Sequence, residues 1–222
     1  MIETYKSKYN YEEYNISKIN GIRYYEINNN SFVPSVTSIL SLTKPSFLPN
    51  SKKINNDYAN ATSIGNLMHK YLDYYVSRNT DFFDENKNFQ IAKNLAKIII
   101  ENCVNNIDEV WGTEAAVHYK ERYAGTIDLI GMMDEELLIV DYKSSHRKKR
   151  TDELEEYFLQ LAAYTLAHDW QYKTKTDSIM VFLCMRNGNY EKRVVSAEKL
   201  EFYQNEWIKR LDLFEELTKN DV

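Results

Sequence analysis

The sequence predicts a mixed α/β domain with one central β-sheet flanked by helices. Helical patterns come first, three successive strand patterns follow, and a helix, two strands and a last helix complete the order. Two runs, residues 137–140 and 178–185, are continuously apolar, which is typical of strands buried on both faces. A length of 222 residues fits one domain.

The first half of the chain is expected to be mainly helical. Residues 22–33 predict a short asparagine-rich hairpin, and Ser35 then has the position of a helix N-cap before an apolar run. Residues 45–53 indicate a loop. Apolar residues recur at helical spacing over 59–78 and again over 88–105, so two helices are expected there.

The second half changes to strand patterns. Three successive strands are predicted at 113–119, 124–132 and 136–142, with Asp134 and Glu135 as the turn between the last two. A helix over about 152–169 begins with a capping-box pattern of Asp152 and Glu155. The remaining patterns predict strands at 178–185 and 190–195 and an amphipathic helix at 197–219.

Composition excludes several classes of protein. Apolar residues make up 43% and charged residues 27%, as in ordinary soluble domains. We find no run approaching the ~18 apolar residues that a membrane span needs, and no targeting segment at the start. The expected setting is therefore the cytoplasm of a bacterial or phage-infected cell, with no membrane partner. The net charge of −5 argues against tight non-specific binding to DNA, although local charge sets the field.

The two cysteines, Cys103 and Cys184, both lie in apolar surroundings. Buried free thiols in a reducing compartment are the simplest interpretation. Two distant cysteines cannot form a four-cysteine site, so no iron–sulfur cluster is expected.

Residues suited to metal chemistry follow two of the predicted strands. Asp141 and Lys143 lie two residues apart and therefore project from the same face of a strand. Asp128 ends a Gly-x-x-Asp segment on the preceding strand, and a short hairpin brings it beside Asp141. Two carboxylates and one ammonium would then meet at one edge of the sheet.

That combination suits phosphodiester hydrolysis. Carboxylate oxygens are ligands for Mg²⁺ or Mn²⁺, and a neighbouring lysine can orient water and offset developing charge. An isolated Asp-x-Lys pair more often marks an exposed strand end or an ion pair. Here the pair directly follows a buried strand, where charge is costly unless it is paired or liganded.

The motifs together resemble the RecB-like branch of the PD-(D/E)xK nucleases, and in particular the mitochondrial genome maintenance exonucleases and their phage relatives. The matching segments are Pro34–Leu40, Gly65–His69, Glu114 within 113–117, Gly125–Asp128, Asp141–Ser145 and Gln160–Tyr164. None of these segments is specific alone, but six in the right order cover nearly the whole chain.

The resemblance implies a role for each matching position. His69, Asp128, Asp141 and the backbone carbonyl of Tyr142 would ligate one or two divalent ions, Mg²⁺ or Mn²⁺. The catalytic residues would be Lys143, Asp128, Asp141, Glu114 and Gln160. Glu114 would orient the attacking water or help to hold a second metal, and Gln160 would support the lysine or a phosphate. Glu114 as a solvated strand residue and Gln160 as a polar cap on the sheet remain alternatives.

Further residues are candidates for contact with DNA. The basic run His146–Arg150 follows the catalytic strand directly, where it would attract a phosphate backbone; a solvated loop is the alternative. The candidate contacts are Ser144, Ser145, Arg147, Lys148, Lys149, Arg150, Tyr164, Ser35 and Thr37. For Tyr164 the alternative is core packing, and for the serines and Thr37 it is capping.

The sequence therefore predicts a metal-dependent deoxyribonuclease acting as an exonuclease on single-stranded DNA or DNA ends. The exonuclease preference depends on the resemblance. Residues 1–108 would form the hairpin and helical part that covers the DNA channel, and residues 109–222 the catalytic core. A structure-specific endonuclease of the same fold, or a module that binds nucleic acid without cutting it, are the alternatives.

Overall fold

The computed structural model describes residues 5–28, 31–45, 56–77 and 84–219. Its first part is a small antiparallel sheet followed by three helices. The strands are β1 (Asn15–Ile19), β2 (Ile22–Asn28) and β3 (Ser31–Pro34). The helices are α1 (Val36–Leu42), α2 (Asn56–Val76) and α3 (Phe89–Asn102), with a 3-10 turn at Val104–Asn106 after the last.

The second part supplies the central sheet and two long helices. Its elements are β4 (Glu109–Tyr119), β5 (Tyr123–Met133), β6 (Glu136–Ser145), α4 (Thr151–Tyr172), β7 (Ser178–Met185), β8 (Tyr190–Ser196) and α5 (Ala197–Thr218). The five strands lie in chain order across the sheet. All neighbours are antiparallel except β6 and β7, because α4 connects these two and returns the chain to the same end of the sheet. The predicted mixed α/β class is confirmed.

Helices cover both faces of this sheet. The helices α1, α4 and α5 bury one apolar cluster against it, and α2 and α3 bury another. Every residue of β7 is buried, and β6 is buried over 137–142, which explains their continuous apolar runs. Polar residues at the end of β6 must therefore be paired or liganded. No helix in the described part of the chain is long and apolar enough to cross a membrane.

Most predicted elements are confirmed within a few residues at their ends. Asp134 and Glu135 form the turn between β5 and β6, both with positive φ. Ser35 caps α1, since its hydroxyl accepts a hydrogen bond from the amide of Ser38 at 3.1 Å. Both cysteines are buried free thiols. The asparagines at 29 and 30 and most of the predicted 45–53 loop lie outside the described residues.

Two details differ from the prediction. The helix α4 begins one residue before Asp152, and the carboxylate that returns to its N-terminus belongs to Glu153, which accepts from the amide of Arg150 at 3.0 Å. Strand β1 was not predicted, although Asn20 and Gly21 are typical of a two-residue hairpin turn and both have positive φ.

Candidate active site

Three carboxylates lie side by side on neighbouring strands. Residues on either side of Glu114 and Asp128 pair with each other across β4 and β5, so these two lie opposite one another. In β5 and β6 the pair Leu129–Val140 sets the register, and the next position along brings Asp128 beside Asp141. The sheet therefore assembles the three carboxylates from segments distant in sequence.

The backbone of Glu114 is unusual for a strand. Its φ is +46°, in the left-handed region that side chains disfavour, and the ladder between β4 and β5 skips this residue. Such a conformation costs on the order of 1 kcal/mol or more and persists only where its surroundings impose it. The Glu114 side chain is 40% exposed and turns toward α2.

His69 approaches the carboxylates from α2, which packs against β4 and β6. Its Nδ1 lies 3.2 Å from Oδ1 of Asp128 and 3.8 Å from Oε1 of Glu114. Burial lowers the pKa of His69, but the two carboxylates outweigh burial and raise that pKa to about 10. The site therefore favours positive charge at this point.

These three residues could hold a metal ion. One ligand atom from each of His69, Glu114 and Asp128 lies within 4.8 Å of the others. Among the described residues, the structure thus groups Glu114 with His69 and Asp128, whereas the resemblance implied Asp141 in that position. Oδ1 of Asp141 is occupied by two hydrogen-bond donors, while its second oxygen has no partner among the described residues.

The two donors that hold Asp141 are Lys143 and Gln160. Lys143 Nζ lies 2.7 Å from Asp141 Oδ1, and Gln160 Nε2 donates to the same oxygen at 3.1 Å. Burial lowers the pKa of Lys143, but Asp141 and Asp128 outweigh it and raise that pKa. The lysine remains protonated, and its Nζ also lies 5.1 Å from the ring centre of Tyr157.

The second oxygen of Asp141 is free for a ligand. The residue is 1% exposed, and its Oδ2 has no hydrogen-bond partner among the residues described. Burial raises the pKa of Asp141, and the nearby Asp128 raises it further. An unpartnered oxygen on a buried carboxylate next to another carboxylate fits a divalent cation, which would neutralise both. This donor set of carboxylate oxygens and one imidazole suits a divalent metal ion.

A backbone hydrogen bond holds the carboxylate of Asp128. The amide of Tyr142 donates to Asp128 Oδ2 at 2.7 Å, which leaves Oδ1 facing His69. Burial raises the pKa of Asp128, but His69, Lys143 and this amide outweigh burial and lower it. Asp128 is therefore ionised and preorganised to accept a cation.

Tyr164 lies behind the site and not at its surface. It is 3% exposed, and its hydroxyl accepts a hydrogen bond from Gln160 Nε2 at 3.1 Å. Its ring lies against Gly125, where a Cβ would stand 2.3 Å from Tyr164 Cε1. The structure therefore corrects the expected DNA contact: Tyr164 is an internal support for Gln160, and it explains why glycine stands in the Gly-x-x-Asp segment.

The four cations of the basic run all form ion pairs. Both nitrogens of the Arg147 fork meet Glu153, at 2.8 and 2.9 Å, and Lys149 reaches the same carboxylate at 3.3 Å. Lys148 pairs with Glu191, and Arg150 pairs with Asp152. Each cation of the run therefore has a carboxylate partner that would compete with a DNA phosphate, which agrees in part with the solvated-loop alternative.

The serine candidates and Thr37 also take separate positions. Ser35 is fully buried as the α1 cap, so it cannot touch DNA in this structure, whereas Thr37 is exposed and accepts from Arg23 at 2.9 Å. Ser145 is buried and donates to the carbonyl of Arg147 at 2.7 Å, which fixes the loop. Ser144 is half-buried, with its hydroxyl toward α2.

Asp73, an acidic residue beside the site, was not among the predicted site residues. A groove of about 410 Å³ beside the metal-ligand group is lined by Asn66, His69, Lys70, Asp73 and Glu114. Asp73 lies four residues after His69 and therefore on the same face of α2. Helical spacing from His69 could have identified it, whereas no sequence signal marks the strained backbone of Glu114.

Comparison with known proteins identifies the family of this chain. Residues 42–220 match the family model of the PD-(D/E)XK nuclease superfamily. Mitochondrial genome maintenance exonuclease 1 of Xenopus tropicalis is 24% identical over 120 residues, which cover 51% of this chain and 34% of that protein. The chain thus spans only about a third of the length of that relative.

Two solved structures resemble this chain with low sequence identity and low TM-scores. A protein of Eubacterium rectale, provisionally described as an exonuclease, has a TM-score of 0.49 at 13% identity, covering 79% of this chain and 71% of its own. A phage-related exonuclease from Haemophilus somnus has a TM-score of 0.41 at 13% identity, covering 85% and 96%. Because the family model spans most of the sequence, this chain belongs to the PD-(D/E)XK nuclease superfamily.

Proposed function

We propose that this protein is a Mg²⁺- or Mn²⁺-dependent DNA exonuclease that hydrolyses phosphodiester bonds of single-stranded DNA or DNA ends. The observation that carries the proposal is the convergence of Glu114, Asp128 and Asp141 with His69 and Lys143 at one edge of the sheet. The exonuclease preference is supported by the name of the Xenopus relative.

The metal would be held by the residues whose oxygens and nitrogen are already directed into the site. Asp128 Oδ1, Asp141 Oδ2 and His69 would ligate it, with the carbonyl of Tyr142 and the Glu114 carboxylate as further donors. When bound, a divalent ion polarises the phosphate and lowers the pKa of a coordinated water. Its positive charge would replace the proton that the carboxylates hold on His69.

The chain's own residues would position the reactants. Lys143 is fixed by Asp141 and by the ring of Tyr157, so its ammonium can orient the attacking water and offset charge on the phosphate. Gln160 holds Asp141 and is held in turn by Tyr164. Glu114 is exposed enough to accept a proton from water or to hold a second ion.

The N-terminal part would cover the path of the DNA strand. We assign residues 1–108 to this cover and 109–222 to the catalytic core, within a cytoplasmic protein. The assignment is supported by α2, which carries His69 and packs against β4 and β6. A groove of about 560 Å³ between α1 and the start of α4 leads to Gln160 and offers a route for a strand.

A digestion assay tests the proposal. Linear DNA labelled at either end and a circular single-stranded substrate would be incubated with Mg²⁺, Mn²⁺ or EDTA. We expect metal-dependent laddering of the linear strands with the circle spared. Cutting of the circle would favour the endonuclease alternative, and no cutting of any substrate would favour a module that only binds.

A pair of variants assigns the activity to the site. Lys143→Ala should abolish cutting, because the ammonium is needed at the reacting phosphate, while the chain still unfolds in one cooperative transition. Lys97→Ala, at an exposed position on α3, removes the same charge and should leave cutting unchanged. Retained activity in Lys143→Ala would refute the assignment.

A further inference from the structure

A second cleft opens at the outer edge of the central sheet, away from the metal-ligand group. Its volume is about 860 Å³, and it lies between the start of α4, strand β8 and the first turn of α5. Its basic lining residues are Lys148, Lys149, Arg150, Lys192, Arg193 and Lys199. None of the described residues that line it is acidic.

The positive charge of this basic cleft is only partly compensated. Four of its six cations share three carboxylates at the rim. The ion pairs are Lys148 and Arg193 with Glu191, Lys149 with Glu153, and Arg150 with Asp152. Lys199 forms no ion pair with any residue in the described part of the chain. The Lys192 ammonium lies 6.0 Å from the ring centre of Phe182, which packs on the α2 and α3 face of the sheet, so it does not add to the charge of the cleft. The other five cations against three carboxylates leave a local charge of about +2, in a chain whose net charge is −5.

The basic cleft is continuous with the catalytic side of the molecule. Lys149 and Arg150 line it, and they also line the groove of about 560 Å³ that contains Tyr157 and Gln160. The loop before α4 is therefore a wall shared by both depressions. A strand that crosses this loop passes from the neighbourhood of Lys143 directly into the basic cleft.

We propose that the basic cleft binds the sugar–phosphate backbone of the substrate strand beyond the bond that is cut, an inference that rests on the proposed function. Lysine ammonium groups are point charges that neutralise phosphates without reading bases. Local attraction of this kind would offset the repulsion expected from an acidic chain.

The test removes two cations of the cleft, one on β8 and one on α5. Binding of fluorescent single-stranded DNA to Arg193→Ala/Lys199→Ala and to the wild type would be followed by anisotropy in EDTA at several salt concentrations. Loss of two phosphate contacts lowers the slope of log K against log salt by about 1.4, and weakens binding by on the order of 25-fold at about 0.1 M salt. Cutting of an oligonucleotide too short to reach the cleft should be unchanged.

A matched control separates local charge from total charge. Lys97→Ala/Lys175→Ala removes two exposed lysines that line neither depression, and its salt slope should equal that of the wild type. If the Arg193/Lys199 variant, folded as judged by its unfolding midpoint, keeps the wild-type slope while the wild type still cuts DNA, this inference is overturned. If the wild type cuts nothing, the proposed function fails, and the slope difference alone decides whether the cleft binds a backbone.

Discussion

Gly125→Ala should damage the active site without touching any proposed catalytic group. A methyl group at this position would stand 2.3 Å from Cε1 of Tyr164 and 3.1 Å from its Cζ, so the ring must move. The ring is buried in the core, and overpacking of this kind costs roughly 1–3 kcal/mol. For a domain of this size the melting temperature should fall by roughly 2–12 °C.

Displacement of Tyr164 also affects the chemistry. Its hydroxyl accepts the hydrogen bond from Gln160 that aligns Asp141 with Lys143. A shift of about 1 Å in such a chain of contacts can lower the rate by about 100-fold. Urea unfolding would measure the loss of stability, provided that the slope of the free energy of unfolding against urea concentration is unchanged. Cleavage of end-labelled DNA would measure the rate.

Two further variants make the reasoning falsifiable. Gly65→Ala is the matched control, because its Cβ meets only Ser144 Oγ at 3.7 Å and alanine favours a helix by about 1 kcal/mol. In a Tyr164→Leu background, Gly125→Ala should cost less than it does in the wild type, since the colliding ring is gone. An unchanged midpoint and rate in Gly125→Ala, or an equal cost in both backgrounds, would refute the steric argument.

Three other predictions concern stability and reactivity. Burial lowers the pKa of His168 to about 4, whereas a histidine in the unfolded chain has a pKa of about 6.5. As the pH falls from 6.5 to 4, the unfolded chain takes up the proton first, and about 3 kcal/mol of the free energy of unfolding should be lost. Urea titrations at both pH values should show a smaller loss for His168→Gln than for the wild type. Ser35→Ala should lower the free energy of unfolding by about 1 kcal/mol, because it removes the α1 cap, and an unchanged urea midpoint would contradict this. Burial raises the pKa of Cys103 to about 12 and of Cys184 to about 11, so thiol reagents should label neither until urea unfolds the chain, and rapid labelling of the native protein would disprove it.

Local patterns in the sequence determined the order and type of most elements. The two continuous apolar runs became β6 and β7, because strands covered by helices on both faces have no solvated side. The i, i+2 spacing of Asp141 and Lys143 required a common face, and their 2.7 Å contact follows from it. The turn at Asp134 and Glu135 also has a local cause, since aspartate tolerates the positive φ of a turn better than most side chains.

Long-range features of the site had no such signal. The pairing register that aligns Glu114 with Asp128 depends on contacts between strands, and the positive φ of Glu114 is imposed by its surroundings. The approach of His69 to these carboxylates depends on how α2 packs on the sheet. Sequence spacing cannot give the distance between residues held on different elements.

The basic run His146–Arg150 was also predicted from the sequence in its composition but not in its contacts. Its composition predicted a positive surface, but the partners of Arg147 and Lys148 are Glu153 and Glu191, of which the second lies more than forty residues away in sequence. The basic cleft exists only because the sheet brings Arg193 next to this loop, where it shares Glu191 with Lys148. The sequence by itself therefore determined the candidate catalytic residue types and their strands. Only the tertiary structure decided which charges meet, because that depends on contacts between distant segments.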